Sequence, residues 1–96
     1  MPKGYVILTE AIKDPDGMRA YAQAAGKAMG GVTVLAVDRK PQALEGTWHG
    51  DQTVVLEFES VDAARAWYES DEYQAAAKLR QAAAECNAVI IAGFGD

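Results

Sequence analysis

The sequence predicts an α+β fold in which four antiparallel strands carry helical segments on one face of the sheet. Short runs of β-branched and aromatic residues alternate with alanine-rich stretches at helical spacing, and glycine or proline stands near most boundaries. The resulting order of elements is β-α-β-β-α-β. A chain of 96 residues has room for one domain, so we expect residues 1–96 to form a single unit.

The first half of the chain predicts a strand, a helix and a second strand. Residues 4–12 are rich in β-branched and aromatic side chains, which favour a strand. Asp14-Pro15 is typical of a helix start, with the aspartate as cap and proline in the first helical position. We expect this helix to end at Gly30-Gly31. The second strand is predicted over residues 32–37, and a short edge segment over residues 43–45.

The second half predicts a strand, a helix broken in two, and a last strand. Residues 52–59 form the third predicted strand, and Ser60 is placed to cap the helix that follows. Ser70 and the acidic residues after it start a second helix, which we expect to run to about Glu85. The last strand is predicted over residues 88–94. This order is the split βαβ, or ferredoxin-like, pattern, with both helical segments on one face.

The strands are apolar at nearly every position instead of at alternate ones. Such runs occur at residues 5–8, 32–37, 54–56 and 88–92. A sheet with one solvated face should alternate apolar and polar residues, so both faces here require burial. Because the helices can cover only one face, we predict a homodimer in which a second copy packs sheet to sheet.

The composition argues against several other partners. The net charge is −5, and no basic cluster is longer than Arg39-Lys40, which makes nucleic acid an unsuitable partner. No apolar run approaches the length of a membrane span or a signal peptide. Cys86 is the single cysteine, so no internal disulfide is possible and a cytoplasmic location is expected.

Residues 44–80, LEGTWHGDQTVVLEFESVDAARAWYESDEYQAAAKLR, carry a resemblance to a known family. With the Gly4-Tyr5 opening and the terminal AVIIAGF strand, this segment resembles the domain-of-unknown-function 1330 family of small bacterial proteins. The resemblance implies a dimeric α/β barrel and supplies no activity. More distantly, the chain is similar to a superfamily that holds cofactor-independent quinol monooxygenases, muconolactone isomerases, haem-binding members and stress-response barrels.

Standard cofactor and metal motifs do not occur in the sequence. It contains no G-x-G-x-x-G, no G-x-x-x-x-G-K-[ST] and no G-x-S-x-G motif. One histidine and one cysteine, distant in sequence, do not predict a metal site. Haem would have to be held by His49, and a turn histidine is usually solvated. We therefore predict neither a metal nor a bound cofactor.

Glu57 is the first candidate for chemistry, because it is a carboxylate within an apolar strand. Burial of such a group is costly unless it is paired or faces a polar pocket. It could be a pocket acid or base, or a structural ion-pair partner of Arg39, Arg65 or Arg80. The second candidate is His49, which lies between two glycines and could close a pocket as an acid or base near neutral pH.

Aromatic side chains with polar tips suggest a ligand pocket between the alanine-rich helices and the sheet. We expect its lining to come from some of Trp48, Glu57, Trp67, Tyr68, Tyr73 and Arg80, with His49 at the rim. Two functional interpretations stay open. The protein could be a cofactor-independent enzyme that resembles the barrel monooxygenases or isomerases, or a non-catalytic dimeric module that binds a metabolite or a protein partner.

Overall fold

Residues 2–95, which the computed structural model describes, form a four-stranded antiparallel sheet with three helices. The elements are β1 (Gly4–Ile12), α1 (Pro15–Gly26), β2 (Thr33–Asp38), β3 (Gln52–Phe58), α2 (Val61–Glu69), α3 (Asp71–Ala83) and β4 (Ala84–Ala92). The strand order across the sheet is β2-β3-β1-β4, and every neighbouring pair is antiparallel. This topology confirms the predicted ferredoxin-like fold.

All three helices lie on one face of the sheet. Along β1, the side chains of Val6, Leu8 and Glu10 are buried toward the helices, whereas Tyr5 and Ile7 point to the other face and are half-buried. The Cα atoms span 38 × 36 × 16 Å. The short dimension accommodates one helix layer on one sheet, because such layers pack about 10 Å apart.

Trp67 occupies the centre of the layer between the helices and the sheet. Its ring centroid lies 5.2 Å from that of Phe58 and 3.9 Å from that of Tyr73. Its indole Nε1 donates a hydrogen bond of 2.7 Å to the carbonyl of Ala28, just after α1. The surrounding helix positions are small, and the buried ones include Ala64, Ala76 and Ala77. These alanines let the helices approach closely enough for the aromatic rings to fill the core.

The predicted helix break is confirmed at Ser70. Its hydroxyl oxygen accepts a hydrogen bond of 3.2 Å from the backbone N–H of Tyr73, and it donates one of 2.7 Å to the carbonyl of Trp67. Ser60 caps α2 in the same way, since its hydroxyl accepts from the backbone N–H of Ala63 at 3.0 Å. A single serine thus ends α2 and begins α3.

The ends of α1 differ from the prediction. Pro15 occupies the first turn as expected, but Asp14 makes no side-chain hydrogen bond to the helix, so its predicted capping role is wrong. The helix also ends at Gly26 instead of at Gly30-Gly31. Glycine costs about 1 kcal/mol within a helix relative to alanine, so Gly26 is a natural end point.

Two strand predictions also need correction. Residues 43–45 form no strand, because β2 pairs only with β3 and these residues lie outside that register. The last strand begins at Ala84 and not at residue 88, since Ala84 pairs with Ile12 and the register continues to Gly4 opposite Ala92. The length of β1 therefore sets the length of β4.

We expect Ser70→Ala to lower the free energy of unfolding by about 1 kcal/mol, because it removes the cap of α3 and leaves a backbone N–H without its acceptor. Urea denaturation followed by tryptophan fluorescence measures this change. Lys78→Ala, at an exposed position within the same helix, is the matched control and should change stability little. Equal stabilities for the two variants would contradict the capping role of Ser70.

Candidate functional site

The candidate residues predicted from the sequence divide between the two faces of the sheet. Glu57 lies opposite Tyr5 on β1 and Thr33 on β2, on the face turned away from the helices. The Tyr5 hydroxyl donates a hydrogen bond of 3.0 Å to the Glu57 carboxylate. This bond, with smaller contributions from desolvation and the negative charge of Glu57, raises the pKa of Tyr5. Glu57 is therefore paired with the phenol of Tyr5 and not with Arg39, Arg65 or Arg80.

Trp48 and His49 lie on the same outer face as Glu57. The Trp48 indole donates a hydrogen bond of 2.8 Å to the Thr53 hydroxyl, and His49 Nδ1 lies 2.7 Å from the Thr9 hydroxyl. His49 Nε2 lies 3.7 Å from a carboxylate oxygen of Glu85. The loop before β3 folds over the outer face and carries both side chains there. Trp48, His49 and Glu57 therefore do not lie between the helices and the sheet, where the pocket was predicted.

Trp67, Tyr73 and Arg80 do meet on the helix side, as predicted. Tyr73 is fully buried and Arg80 is only 2% exposed, so the arginine takes a core position on α3. Leu79, the preceding apolar residue, is instead 41% exposed. Tyr68 is half-buried, with its ring 5.7 Å from that of Tyr73, and it faces a separate concavity beside β4.

Glu10 is the buried carboxylate of this fold, and the sequence analysis did not single it out. It is 1% exposed on the helix side of the sheet. Gln52, its neighbour on β3, donates a hydrogen bond of 2.8 Å from Nε2 to Glu10 Oε1. Within residues 2–95, no donor lies in hydrogen-bonding reach of Oε2. Val6, Leu8 and Glu10 are alternate residues of one strand and so share one face of the sheet. From this pattern the burial of Glu10 could have been predicted.

The main chain of Glu10 is held by the loop before β3. The backbone N–H of Asp51 donates a hydrogen bond of 2.7 Å to the Glu10 carbonyl. Gly50 packs directly on this backbone with φ +85°, and a Cβ atom there would lie 2.6 Å from the Glu10 carbonyl. Only glycine tolerates both this conformation and this close approach. The contact therefore holds the main chain of Glu10 in place.

A cleft opens between α1 and the β2–β3 half of the sheet, because α1 packs mainly against α3. Its inner part is a cavity of about 280 Å³ whose apolar wall includes Leu8, Met29, Val54 and Trp67. Its polar lining consists of Glu10, Tyr21, Arg39 and Gln52. A second concavity of about 330 Å³ shares Tyr21, Ala22, Arg39 and Gln52 with the first and extends it toward solvent.

The ionisable groups around this cleft are perturbed by burial and by one another. Burial raises the pKa of Glu10, and the hydrogen bond from Gln52 and the positive charge of Arg80 only partly offset this effect. The Tyr21 and Tyr73 hydroxyls share a hydrogen bond of 2.9 Å. Burial and the neighbouring Tyr73 raise the pKa of Tyr21, so its phenol stays protonated at neutral pH.

Arg80 stays charged despite its burial. Desolvation lowers its pKa, but the negative field and hydrogen bonds of its neighbours outweigh that effect, and its net pKa is raised. Its guanidinium carbon lies 5.9 Å from the centroid of the Tyr21 ring, within the range of a cation–π contact. Arg80 therefore supplies a fixed positive charge behind the tyrosine pair.

The cleft brings together an apolar wall and a few polar groups. Its lining includes the carboxyl group of Glu10, whose Oε2 is buried without a hydrogen-bond partner, a phenol and, at its mouth, a guanidinium group. In residues 2–95, no three His, Cys, Asp or Glu side chains converge in the way a metal centre would require. None of the helices in that range is long and apolar enough to cross a bilayer.

Comparison with known families assigns the chain. A family model described as "Domain of unknown function (DUF1330)" matches residues 3–94, so the protein belongs to this family. The family description carries no activity. A search of curated proteins found no match.

Solved structures with the same fold come from several bacteria. A protein of unknown function from Rhodopseudomonas palustris is 20% identical, with a TM-score of 0.74, and the alignment covers 99% of this chain and 85% of that one. A dimeric ferredoxin-like protein of unknown function from Thermobifida fusca is 19% identical, with a TM-score of 0.65 and coverage of 95% and 91%. SnoaB from Streptomyces nogalater, described as a cofactor-independent oxygenase, is 11% identical, with a TM-score of 0.68 and coverage of 100% and 97%. At these identities the likeness shows the fold alone.

Burial of Glu10 predicts a dependence of stability on pH. Its folded-state pKa lies above the usual 4.5, so between the two values the folded state binds more protons than the unfolded state. The free energy of unfolding should therefore fall as pH rises from about 4.5 through the folded-state pKa, and then level off. We expect Glu10→Gln to remove this decline, as measured by urea denaturation at a series of pH values.

Glu72→Gln, at an exposed position on α3, is the control and should keep the decline. A Glu10→Gln profile parallel to that of the unmodified protein would contradict an elevated folded-state pKa.

Proposed function

We propose that the protein binds a small organic molecule in the cleft between α1 and the sheet. The observation that carries this proposal is Glu10, a buried carboxylate that lines an apolar cavity of about 280 Å³ and whose Oε2 has no hydrogen-bond partner within residues 2–95. A buried polar atom without a partner costs about 1–3 kcal/mol. A ligand that supplied the missing hydrogen bond would recover this cost.

The lining indicates the kind of ligand. The walls are mainly aliphatic and aromatic, and the size of the inner cavity is near the lower end of the range for ligand pockets. Polar groups are concentrated on one side, where Glu10 and Gln52 lie next to Tyr21. A compact ligand with a flat apolar body and oxygen atoms at one edge satisfies both parts of the lining.

A cofactor-independent enzyme is the function we favour over a purely binding module. Its support is Glu10 itself, because a buried ionisable group with a shifted pKa in a cleft is characteristic of acid–base catalysis. SnoaB, which shares the fold, is described as a cofactor-independent oxygenase, so this fold is compatible with chemistry that needs no bound cofactor. The non-catalytic binding module is the alternative.

We also propose that the outer face of the sheet is the interface of a homodimer. Val89 and Ile91 are 51% and 46% exposed there, next to Ile7 and Val55 on the neighbouring strands. Six polar side chains of this face already have partners within the chain, in the pairs Tyr5–Glu57, Thr9–His49 and Trp48–Thr53. A second copy could therefore cover the face without leaving these groups unpaired.

Relatives and composition support this choice of partner. Proteins of the same fold from Thermobifida fusca and Bacteroides fragilis are described as dimeric. The net charge of −5 disfavours nucleic acid. We accordingly propose a cytoplasmic homodimer, in the form of a dimeric α/β barrel, in which each copy carries one cleft.

The cleft proposal is tested by filling the cavity. Ala22 is exposed on α1 and lines both concavities, so Ala22→Trp should occupy the cleft and lower ligand affinity at least tenfold. Binding is measured by backbone amide NMR shifts with a panel of flat, oxygen-bearing aromatic fragments. We expect the shifts to centre on Glu10, Tyr21 and Gln52.

Ala20→Trp, at an exposed position on α1 outside the cleft lining, is the matched control and should bind normally. The proposal fails if no fragment shifts these three residues, or if both tryptophan variants bind equally well.

The dimer proposal is tested by charging the outer face. Sedimentation should return about twice the mass of 10.2 kDa, and Val89→Lys should shift the protein toward monomer, because a lysine would be buried without a partner. Leu79→Lys, a comparably exposed apolar position on the helix face, should leave the dimer intact. A monomer at micromolar concentration in the unmodified protein would refute the dimer.

A further inference from the structure

Arg39 lies at the junction of the two concavities that make up the cleft. Four residues line both concavities, namely Tyr21, Ala22, Arg39 and Gln52. A molecule whose body fills the inner concavity therefore leaves its outer end beside these residues. Arg39 is the one member of the four that carries a charge, so it is placed to interact with the end of a ligand that points toward solvent.

The end of β2 explains why Arg39 reaches the cleft. Asp38, the last residue of β2, lies opposite Thr53, and Thr53 lies opposite Thr9 on the outer face of the sheet. Successive residues of an extended chain point to opposite faces. The residue after Asp38 is therefore directed to the helix side, where Arg39 lines the cleft.

The carboxylates closest to Arg39 in sequence or along the cleft already have other partners. Asp38 accepts a hydrogen bond of 2.8 Å from the backbone N–H of Lys40, and Asp51 accepts one of 2.8 Å from the backbone N–H of Ile12. Within residues 2–95, Arg39 forms no ion pair. Its guanidinium group is thus available to an external anion, and a carboxylate has two oxygens that match its planar fork.

The arginines of this acidic chain are concentrated around the cleft. The sequence has four arginines and a net charge of −5. Arg19 and Arg39 line the outer concavity, Arg80 lies behind the tyrosine pair, and the fourth, Arg65, lies on α2. Because Arg19 is paired with Asp16, the positive charges left without a carboxylate partner are those of Arg39 and Arg80. This clustering favours a small anion in the cleft.

The inner concavity sets the direction in which an acid can enter. Its wall is mainly apolar, and the carboxyl group of Glu10 belongs to its lining. A ligand carboxylate directed inward would lose its hydration and lie near a group of like charge. The apolar body therefore goes inward, and the carboxylate stays beside Arg39 with access to water through the outer concavity. This arrangement does not depend on contact with Glu10.

We propose that the cleft binds a compact apolar carboxylic acid in its ionised form, with the apolar body in the inner concavity and the carboxylate paired with Arg39. The inference rests on the proposed function and deepens it by naming the class of ligand. The apolar wall accepts the body of the ligand, and the guanidinium group selects acids over neutral molecules of the same shape.

The probes 2-naphthoate and 2-naphthamide test this class, because they share one flat ring system and differ in charge. Binding of each is measured by titration of the backbone amide NMR shifts of Glu10, Tyr21 and Gln52. We expect the unmodified protein to bind naphthoate about tenfold more tightly than naphthamide, since a hydrogen bond to a charged group is stronger than one to a neutral group. Added salt should reduce this preference.

Variants of two arginines identify the group responsible. Arg39 is exposed, so its replacement leaves the core intact. Arg39→Gln should lower the affinity for naphthoate about tenfold and leave that for naphthamide nearly unchanged. Arg39→Lys keeps the charge without the planar fork and should retain part of the preference. Arg65→Gln makes the same change on α2, outside the cleft, and should bind both probes normally.

The outcomes separate the ligand class from the proposed function. Equal affinities of the two probes for the unmodified protein would overturn the preference for acids, and a preference that survives Arg39→Gln would overturn the role of Arg39. Failure of both probes while neutral fragments of the aromatic panel bind would also overturn the ligand class. In these three cases the cleft remains a binding site. If neither probe and no fragment shifts the three residues, the proposed function fails as well.

Discussion

The sheet of this protein has two apolar faces and enough helix to cover one of them only in part. The helices are rich in alanine, and α1 packs mainly against α3 instead of directly on the strands. The cleft over β2 and β3 results from this packing of α1, and the outer face carries no helix because all three lie on the opposite side of the sheet. Trp67 prevents a wider separation of α1 from the sheet. Its ring fills the space beneath the helices, and its indole N–H donates a hydrogen bond to the carbonyl of Ala28, just after α1.

Local signals predicted the order and type of the elements well, because several elements carry their own start signal. Ser60 and Ser70 placed two helix starts correctly, and the apolar runs located the strands to within a few residues. The errors lie where distant pairing overrides local preference. The first residues of β4 are strand only because β1 continues opposite them as far as Ile12, which no local pattern reveals.

The candidate site was harder to predict, because it depends on which face each strand residue takes. Glu10 and Glu57 both lie in apolar strands, and only the position of the helices distinguishes the buried carboxylate from the one on the outer face. The loop that carries His49 folds over the outer face through contacts with Thr9, 40 residues earlier in the chain. The side of a helix that faces the core is equally hard to predict from sequence. On α3 the core side includes Arg80, whose guanidinium lies next to Tyr21 and Tyr73.

The position of β1 between β3 and β4 determines when the fold can be completed during synthesis. Gly4 pairs with Ala92, 88 residues further along the chain, so β1 lacks one of its two neighbours until β4 has been translated. Pairing across such a separation is slow, because the intervening loop must be closed before the contacts stabilise it. Until then β1 is an open, largely apolar edge, and nascent chains of this protein are therefore most vulnerable to aggregation just before β4 emerges from the ribosome.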